Sequence, residues 1–118
     1  MDKDMLRDYG IDYEKGLSRC MGDSGLYTML LSMFRQDDCF ERARKALKTR
    51  DAKAMFDCMH ELKGTSGNLA LNSLYELVCP LVEKLRGGGA DMDEIAARFP
   101  DVELAYEKSM QGIAEILG

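Results

Sequence analysis

The sequence predicts an all-α protein: an antiparallel four-helix bundle with short N-terminal lid helices. Three observations carry that prediction. Apolar residues recur at spacings of three and four along most of the chain. No stretch shows the two-residue alternation of a half-buried strand, and there is no internal repeat. Helix-starting aspartates and helix-ending glycines fall at intervals that leave only short loops. With 118 residues, the chain is expected to be a single domain over 1–118, long enough to bury one core without disulfide or metal staples.

The elements follow in order. Met1 to Tyr9 reads as a short leading helix stopped by Gly10, and Asp12 is placed to cap a second short helix carrying Tyr13, Leu17 and Cys20. Gly22-Asp23 restarts the chain. From Asp23 to Lys48 the face made by Leu26, Tyr27, Leu30, Leu31, Met33, Phe34, Phe40, Ala43, Ala46 and Leu47 reads as one long helix that could break at Gln36-Asp37-Asp38. Thr49-Arg50 is a tight connection. Asp51 then caps a helix running to about Leu69. Asn72 or Ser73 is the expected cap of the next, whose stripe is Leu74, Leu77, Val78, Leu81, Val82 and Leu85, with a kink expected at Pro80. Gly87-Gly88-Gly89 ends it. Asp91 is expected to cap a short helix through Ile95 and Phe99, and Pro100 to open a final helix with Val102, Tyr106, Met110, Ile113 and Leu117 on its face.

Composition narrows the functional classes. The net charge is −5 and the cations are dispersed among acids, so no basic stripe is available to neutralise a phosphate backbone, and nucleic acid is not an expected partner. The N-terminus has no apolar signal core and no apolar run approaches the length needed to span a bilayer. The expected location is therefore the cytoplasm, with no membrane partner. Cys20, Cys39, Cys58 and Cys79 form no Cys-x-x-Cys pair and there is no histidine cluster, so no metal site is expected and the thiols read as small buried hydrophobes.

The one unusual stretch is Met59 to Leu69, which contains the only histidine of the chain, His60. On a helix, Phe56, His60, Lys63, Gly64 and Gly67 share one face, while Met55, Cys58, Leu62, Ser66 and Leu69 lie roughly opposite and form a core stripe. Two glycines in a helix interior cost about 1 kcal/mol each relative to alanine. Both lie beside the histidine, which points to something approaching that face closely. An imidazole can act as general acid or base, metal ligand or nucleophile. Acid/base catalysis needs a pocket and a second catalytic group. A metal site needs more ligands than Asp57 and Glu61 can offer from their positions on the helix. A nucleophile needs only an accessible imidazole and a cation for the incoming anion, and Lys63 at i+3 supplies the cation. Phosphoryl transfer depends mainly on positioning and charge stabilisation, so a donor carrying its own metal could bring the remaining apparatus. Lys53 shares the histidine face and is placed to steer an acidic partner, and Met59 is the methionine best placed for an adaptable recognition surface.

The segment His60-x-Leu62-Lys63-Gly64-x-Ser66-x-Asn68-Leu69 resembles the phosphoacceptor motif of histidine-containing phosphotransfer (HPt) domains. That family's pattern continues with a glycine where this chain has Ala70. The Gly10-Ile11-Asp12 start, the Gly22-Asp23 opening and Pro100 extend the likeness to stand-alone bacterial HPt proteins over nearly the whole chain. The resemblance implies that His60 accepts a phosphoryl group from a receiver-domain phosphoaspartate and passes it to another receiver aspartate. It implies that Lys63 pairs with the phosphate, that Gly64 and Gly67 permit close approach, and that Ser66 and Asn68 fix the helix end. Phe56 is expected to rim the docking patch. By the same resemblance the protein has no autokinase activity and no cofactor, works as a monomer, and takes receiver domains as partners, including those of a hybrid histidine kinase. Two other classes remain open at this stage. One is an adaptor that docks a receiver without phosphorylation. The other is a metal or redox protein using Cys58 and His60, which the roughly 160° between them around the helix disfavours.

Overall fold

Why the chain folds into helices at these positions is visible at their first turns. The computed structural model describes residues 2–118, and among them are α1 (Lys3–Asp8), α2 (Tyr13–Arg19), α3 (Ser24–Gln36), α4 (Cys39–Lys48), α5 (Ala52–Asn68), α6 (Asn72–Leu85) and α7 (Met92–Leu117). Asp2, Asp12, Asp23, Asp51 and Asp91 each accept a hydrogen bond from a first-turn amide with the side-chain carboxylate, satisfying donors that a helix leaves unpaired. The leading helix is the one expected, with Met1 outside the described residues. The only β feature among those residues is a single antiparallel bridge between Ile11 and Leu71.

Three expectations are corrected. The long helix from Asp23 to Lys48 is two helices, divided at the Gln36-Asp37-Asp38 break allowed for, because Asp37 turns extended and its carboxylate takes the Cys39 amide at 2.7 Å, starting α4 afresh. Neither Asn72 nor Ser73 caps α6. Leu71 occupies that position, its backbone bridged to Ile11, and both candidates lie inside the helix. The short helix through Phe99 and the helix after Pro100 are one, α7, 26 residues long. Pro100 is exposed, so the carbonyl it leaves unpaired can be solvated, and the stripe Met92, Ile95, Phe99, Val102, Ala105, Ser109 continues unbroken through it. Pro80 is likewise exposed within α6.

Four helices end in the same way. After α1, α2, α4 and α5 the chain takes a left-handed residue at Gly10, Met21, Arg50 and Ala70, with φ of 78°, 54°, 56° and 57°. At each, two amides turn back to the last-turn carbonyls, as in Leu71 N–H to Ser66 and Ala70 N–H to Gly67 at the end of α5. Only the first of these four positions is a glycine.

Helix α5 packs against α4 on one side and α6 on the other, α6 continues to α7, and α7 returns to α3, closing the bundle. The core contains Leu31, Phe40, Met55, Leu62, Leu74, Val78, Leu81, Ile95 and Val102, all essentially inaccessible. Phe40 of α4 stacks between Phe99 and Tyr106 of α7, at 5.4 and 3.9 Å between ring centres. Helices α1 and α2 close one end, with Leu6, Ile11 and Tyr13 buried.

That end cover, together with Tyr27 of α3, fastens the C-terminus of α5. The Leu69 carbonyl accepts from the buried Tyr27 hydroxyl at 2.7 Å, the Gly67 carbonyl from the Arg19 guanidinium at 2.7 Å, and the Ala70 carbonyl from the Asp12 amide. A cation at a helix C-terminus also meets the negative end of the helix dipole.

Candidate functional site

The middle of α5 presents His60 to solvent, with the buried residues Met55, Cys58, Met59, Leu62 and Ser66 turned the other way. The face expected from the sequence is therefore the one that forms. Phe56, one turn before, lies half-buried with its ring 5.7 Å from the imidazole and inclined by 24°. Lys63, one turn after, is half-buried.

The two carboxylates nearest His60 in sequence are occupied. Asp57 pairs with Lys53 at 3.1 Å. Glu61 pairs with Arg42 of α4 at 3.1 Å, and Arg42 also holds Asp38 at 2.9 Å. Lys63, by contrast, has no carboxylate within ion-pair distance among the described residues. The nearby Glu83 carboxyl sits below its ordinary range, chiefly through hydrogen bonding and attraction to Arg86 and to a smaller degree through Lys63. Around the imidazole, acids are matched by cations and one ammonium is left over for an incoming anion.

The two glycines differ. A methyl built on Gly64 meets nothing within 4 Å, so the space beyond it is open. On Gly67 the same methyl meets the Tyr75 ring at 3.1 and 3.3 Å. The close approach to Gly67 is thus made by α6 of this chain. Ser66 is fully buried and its hydroxyl donates to the Lys63 carbonyl at 3.3 Å, bracing the turn that carries Lys63. Asn68 is exposed and lines a cleft with Leu30, Met33, Phe34, Asp37, Thr65 and Leu69. Met59 is not a recognition residue: it is 0% exposed, because its position on α5 turns into the core.

The cysteines stand apart from this face. Cys58 is buried, and burial raises its thiol pKa. Among the described residues Asp37, Cys39 and Glu61 bring three potential ligand atoms within 4.8 Å of one another. Each has another engagement: Asp37 holds the Cys39 amide, Glu61 holds Arg42, and the Cys39 thiol donates to the Cys58 carbonyl at 3.4 Å. Burial, followed by the charge of Glu61, pushes the Cys39 thiol up to about 12.

Sequence reading missed Arg86, Tyr75 and Arg42. Arg86 lies over the Phe56 ring, 5.6 Å from its centre, and is held at two points by Glu83, at 3.3 and 3.2 Å. The signal was available: an antiparallel α5/α6 hairpin turning at 69–71 brings position 75 beside 67 and position 86 beside 56. For Arg42 no comparable spacing rule exists, since α4 packs on α5 at an angle set by their side chains.

The bundle presents one exposed imidazole next to an unengaged ammonium and an open glycine, an arrangement suited to carrying a group on histidine. The chain matches the family model of the Hpt domain over residues 29–114. This is well over half its length, and the chain belongs to that family. Hpt domains carry phosphoryl groups in the phosphorelays of two-component signalling, and they interact with receiver domains and histidine kinases. No curated protein and no solved structure gives a significant match to the chain. Among the described residues no helix is long and apolar enough to cross a membrane.

Proposed function

We propose that this chain is a relay intermediate whose His60 takes a phosphoryl group from the phosphoaspartate of one receiver domain and gives it to the aspartate of another. The observation that carries the reading is the trio on α5: an exposed imidazole, Lys63 one turn on with no carboxylate bound, and open space beyond Gly64. In the forward step the lone pair of the solvent-facing imidazole nitrogen forms the N–P bond as the P–O bond of the acyl phosphate breaks. The donor recovers its carboxylate, and the other ring nitrogen keeps its proton. The reverse sequence loads the second receiver. The Lys63 ammonium offsets the charge of the transferring group, and the pairing of Asp57 and Glu61 with Lys53 and Arg42 reduces repulsion of the same anion.

Gly64 and the edge of Phe56 form the docking surface, and Lys53, 87% exposed although paired with Asp57, stands on the same face to meet an acidic partner. Gly67 contributes indirectly, by letting Tyr75 pack flush beside that surface. Ser66 holds the Lys63 turn, and Asn68 ends the helix beside the α3 cleft. This chain supplies no autokinase activity, cofactor or metal of its own to the mechanism, and the protein acts as a monomer in the cytoplasm. The test is single-turnover transfer from a phosphorylated receiver to wild type, His60→Gln and Lys63→Ala. His60→Gln should fold and accept nothing, and Lys63→Ala should slow transfer. Wild-type rates in both would refute the roles given.

A further inference from the structure

An exposed histidine on a helix has at least two accessible χ1 wells and two broad χ2 orientations, so its reactive nitrogen points the right way only part of the time. Something that selects one orientation raises the rate without touching the phosphoryl group. On α5 the only aromatic ring near His60 is Phe56, 5.7 Å away with a 24° tilt, a stacked arrangement. Phe56 is itself held. Part of it packs against the core, and the Arg86 guanidinium lies over its ring at 5.6 Å. Arg86 in turn is gripped by both carboxylate oxygens of Glu83, through its Nε and Nη2. A line of contacts therefore runs from the end of α6 to the imidazole.

We propose that Phe56 is a positioning residue for His60: it stacks on the imidazole and fixes the direction of its nucleophilic nitrogen, with Arg86 and Glu83 holding the Phe56 ring in place. This role is additional to docking and rests on the phosphocarrier reading above. It also gives a reason for an aromatic residue at this position, where a docking rim alone would accept any apolar side chain.

The experiment has two arms. In the first, the imidazole proton resonances of the unphosphorylated protein are compared between wild type and Phe56→Leu. The chain has one histidine, so they are unambiguous. Stacking predicts ring-current-shifted signals that relax towards those of an unstacked histidine in Phe56→Leu and return in Phe56→Tyr. In the second, single-turnover phosphoryl transfer is measured across receiver concentration. Phe56→Leu should lower the rate at saturating receiver roughly three- to tenfold, the range spanned by an aromatic pair. Phe56→Tyr should restore it, and Arg86→Ala should lower it less. A saturating rate unchanged in Phe56→Leu, with only the half-saturating concentration raised, would make Phe56 a docking residue and overturn the proposal. So would imidazole signals that do not move. If wild type itself takes no phosphate, the relay reading fails together with the positioning role, and the first arm still reports whether the rings stack.

Discussion

The Tyr75 ring of α6 lies against the backbone of Gly67, close enough that a methyl on Gly67 would touch two ring carbons at 3.1 and 3.3 Å. Gly64, one turn earlier on the same face, has no such neighbour. Each glycine costs the helix about 1 kcal/mol relative to alanine. Gly64→Ala should recover most of that, raising the melting temperature by roughly 3–5 °C for a domain of this size. Gly67→Ala should recover clearly less, because the Tyr75 ring must move aside. Thermal melts of the two variants, side by side, check the difference, and equal gains would contradict the packing assigned to Tyr75.

A longer side chain at Gly64 separates helix stability from recognition. Gly64→Gln should keep the helix, since glutamine is a good helix former and its Cβ would meet no atom of this chain within 4 Å. If receivers dock as proposed, it should nevertheless obstruct the receiver and weaken its binding about tenfold or more. Titration of a receiver domain against wild type and variant reads this directly, and unchanged affinity would remove the open space beyond Gly64 from the account.

Two buried acids make the fold sensitive to alkali. Burial is the leading cause in both: it pushes the Cys39 thiol from its ordinary 9.0 up to about 12 and raises the Tyr27 hydroxyl above its ordinary 10.0. Above about pH 9 the unfolded chain releases protons that the folded chain retains. Stability is therefore unaffected by these groups below pH 9 and falls as the pH rises towards 12, by up to about 1.4 kcal/mol per pH unit for each group. Urea melts between pH 8 and 11 should show a shallower decline for Cys39→Ala. Tyr27→Phe should also be shallower above pH 10. At neutral pH it should cost about 1–2 kcal/mol, because the buried Leu69 carbonyl at the end of α5 loses its donor.

Met21 is 92% exposed and left-handed at φ 54°, so its side chain contributes strain without packing. A left-handed non-glycine residue costs about 1–2 kcal/mol, and a glycine gives back about 0.5–1 through the entropy of the unfolded chain. Met21→Gly should therefore stabilise the protein by about 0.5–1 kcal/mol in denaturant melts. Destabilisation would show that the methionine makes a contact that outweighs the strain.

The legibility of this chain divides along a physical line. Aspartate caps act within three residues, so Asp12, Asp23, Asp51 and Asp91 marked their helices in advance. The histidine face was equally local, since Phe56, His60, Lys63 and Gly64 are related by helical spacing alone. Part of what failed was decided by tertiary partners and part by local geometry. Leu71 could start α6 in place of a polar cap because Ile11 bridges its backbone. Pro100 looked like a helix start because proline favours a first turn, yet it is also tolerated at an exposed interior position. Met59 looked available for recognition because it adjoins His60 in sequence, but a 100° step turns it into the core. Arg86 and Tyr75, which complete the surroundings of Phe56 and Gly67, come from another helix and become visible only once α5 and α6 are paired.

The most direct test is chemical. The protein is incubated with a phosphorylated receiver domain, isolated, and its phosphorus examined by ³¹P NMR and by acid and alkali treatment. The account predicts one phosphoramidate signal, labile to acid and stable to alkali, absent from His60→Gln. Because His60 is the only histidine, that signal identifies the acceptor without mapping. Phosphate that survives acid, or that persists in His60→Gln, would contradict the central claim that this imidazole carries the group.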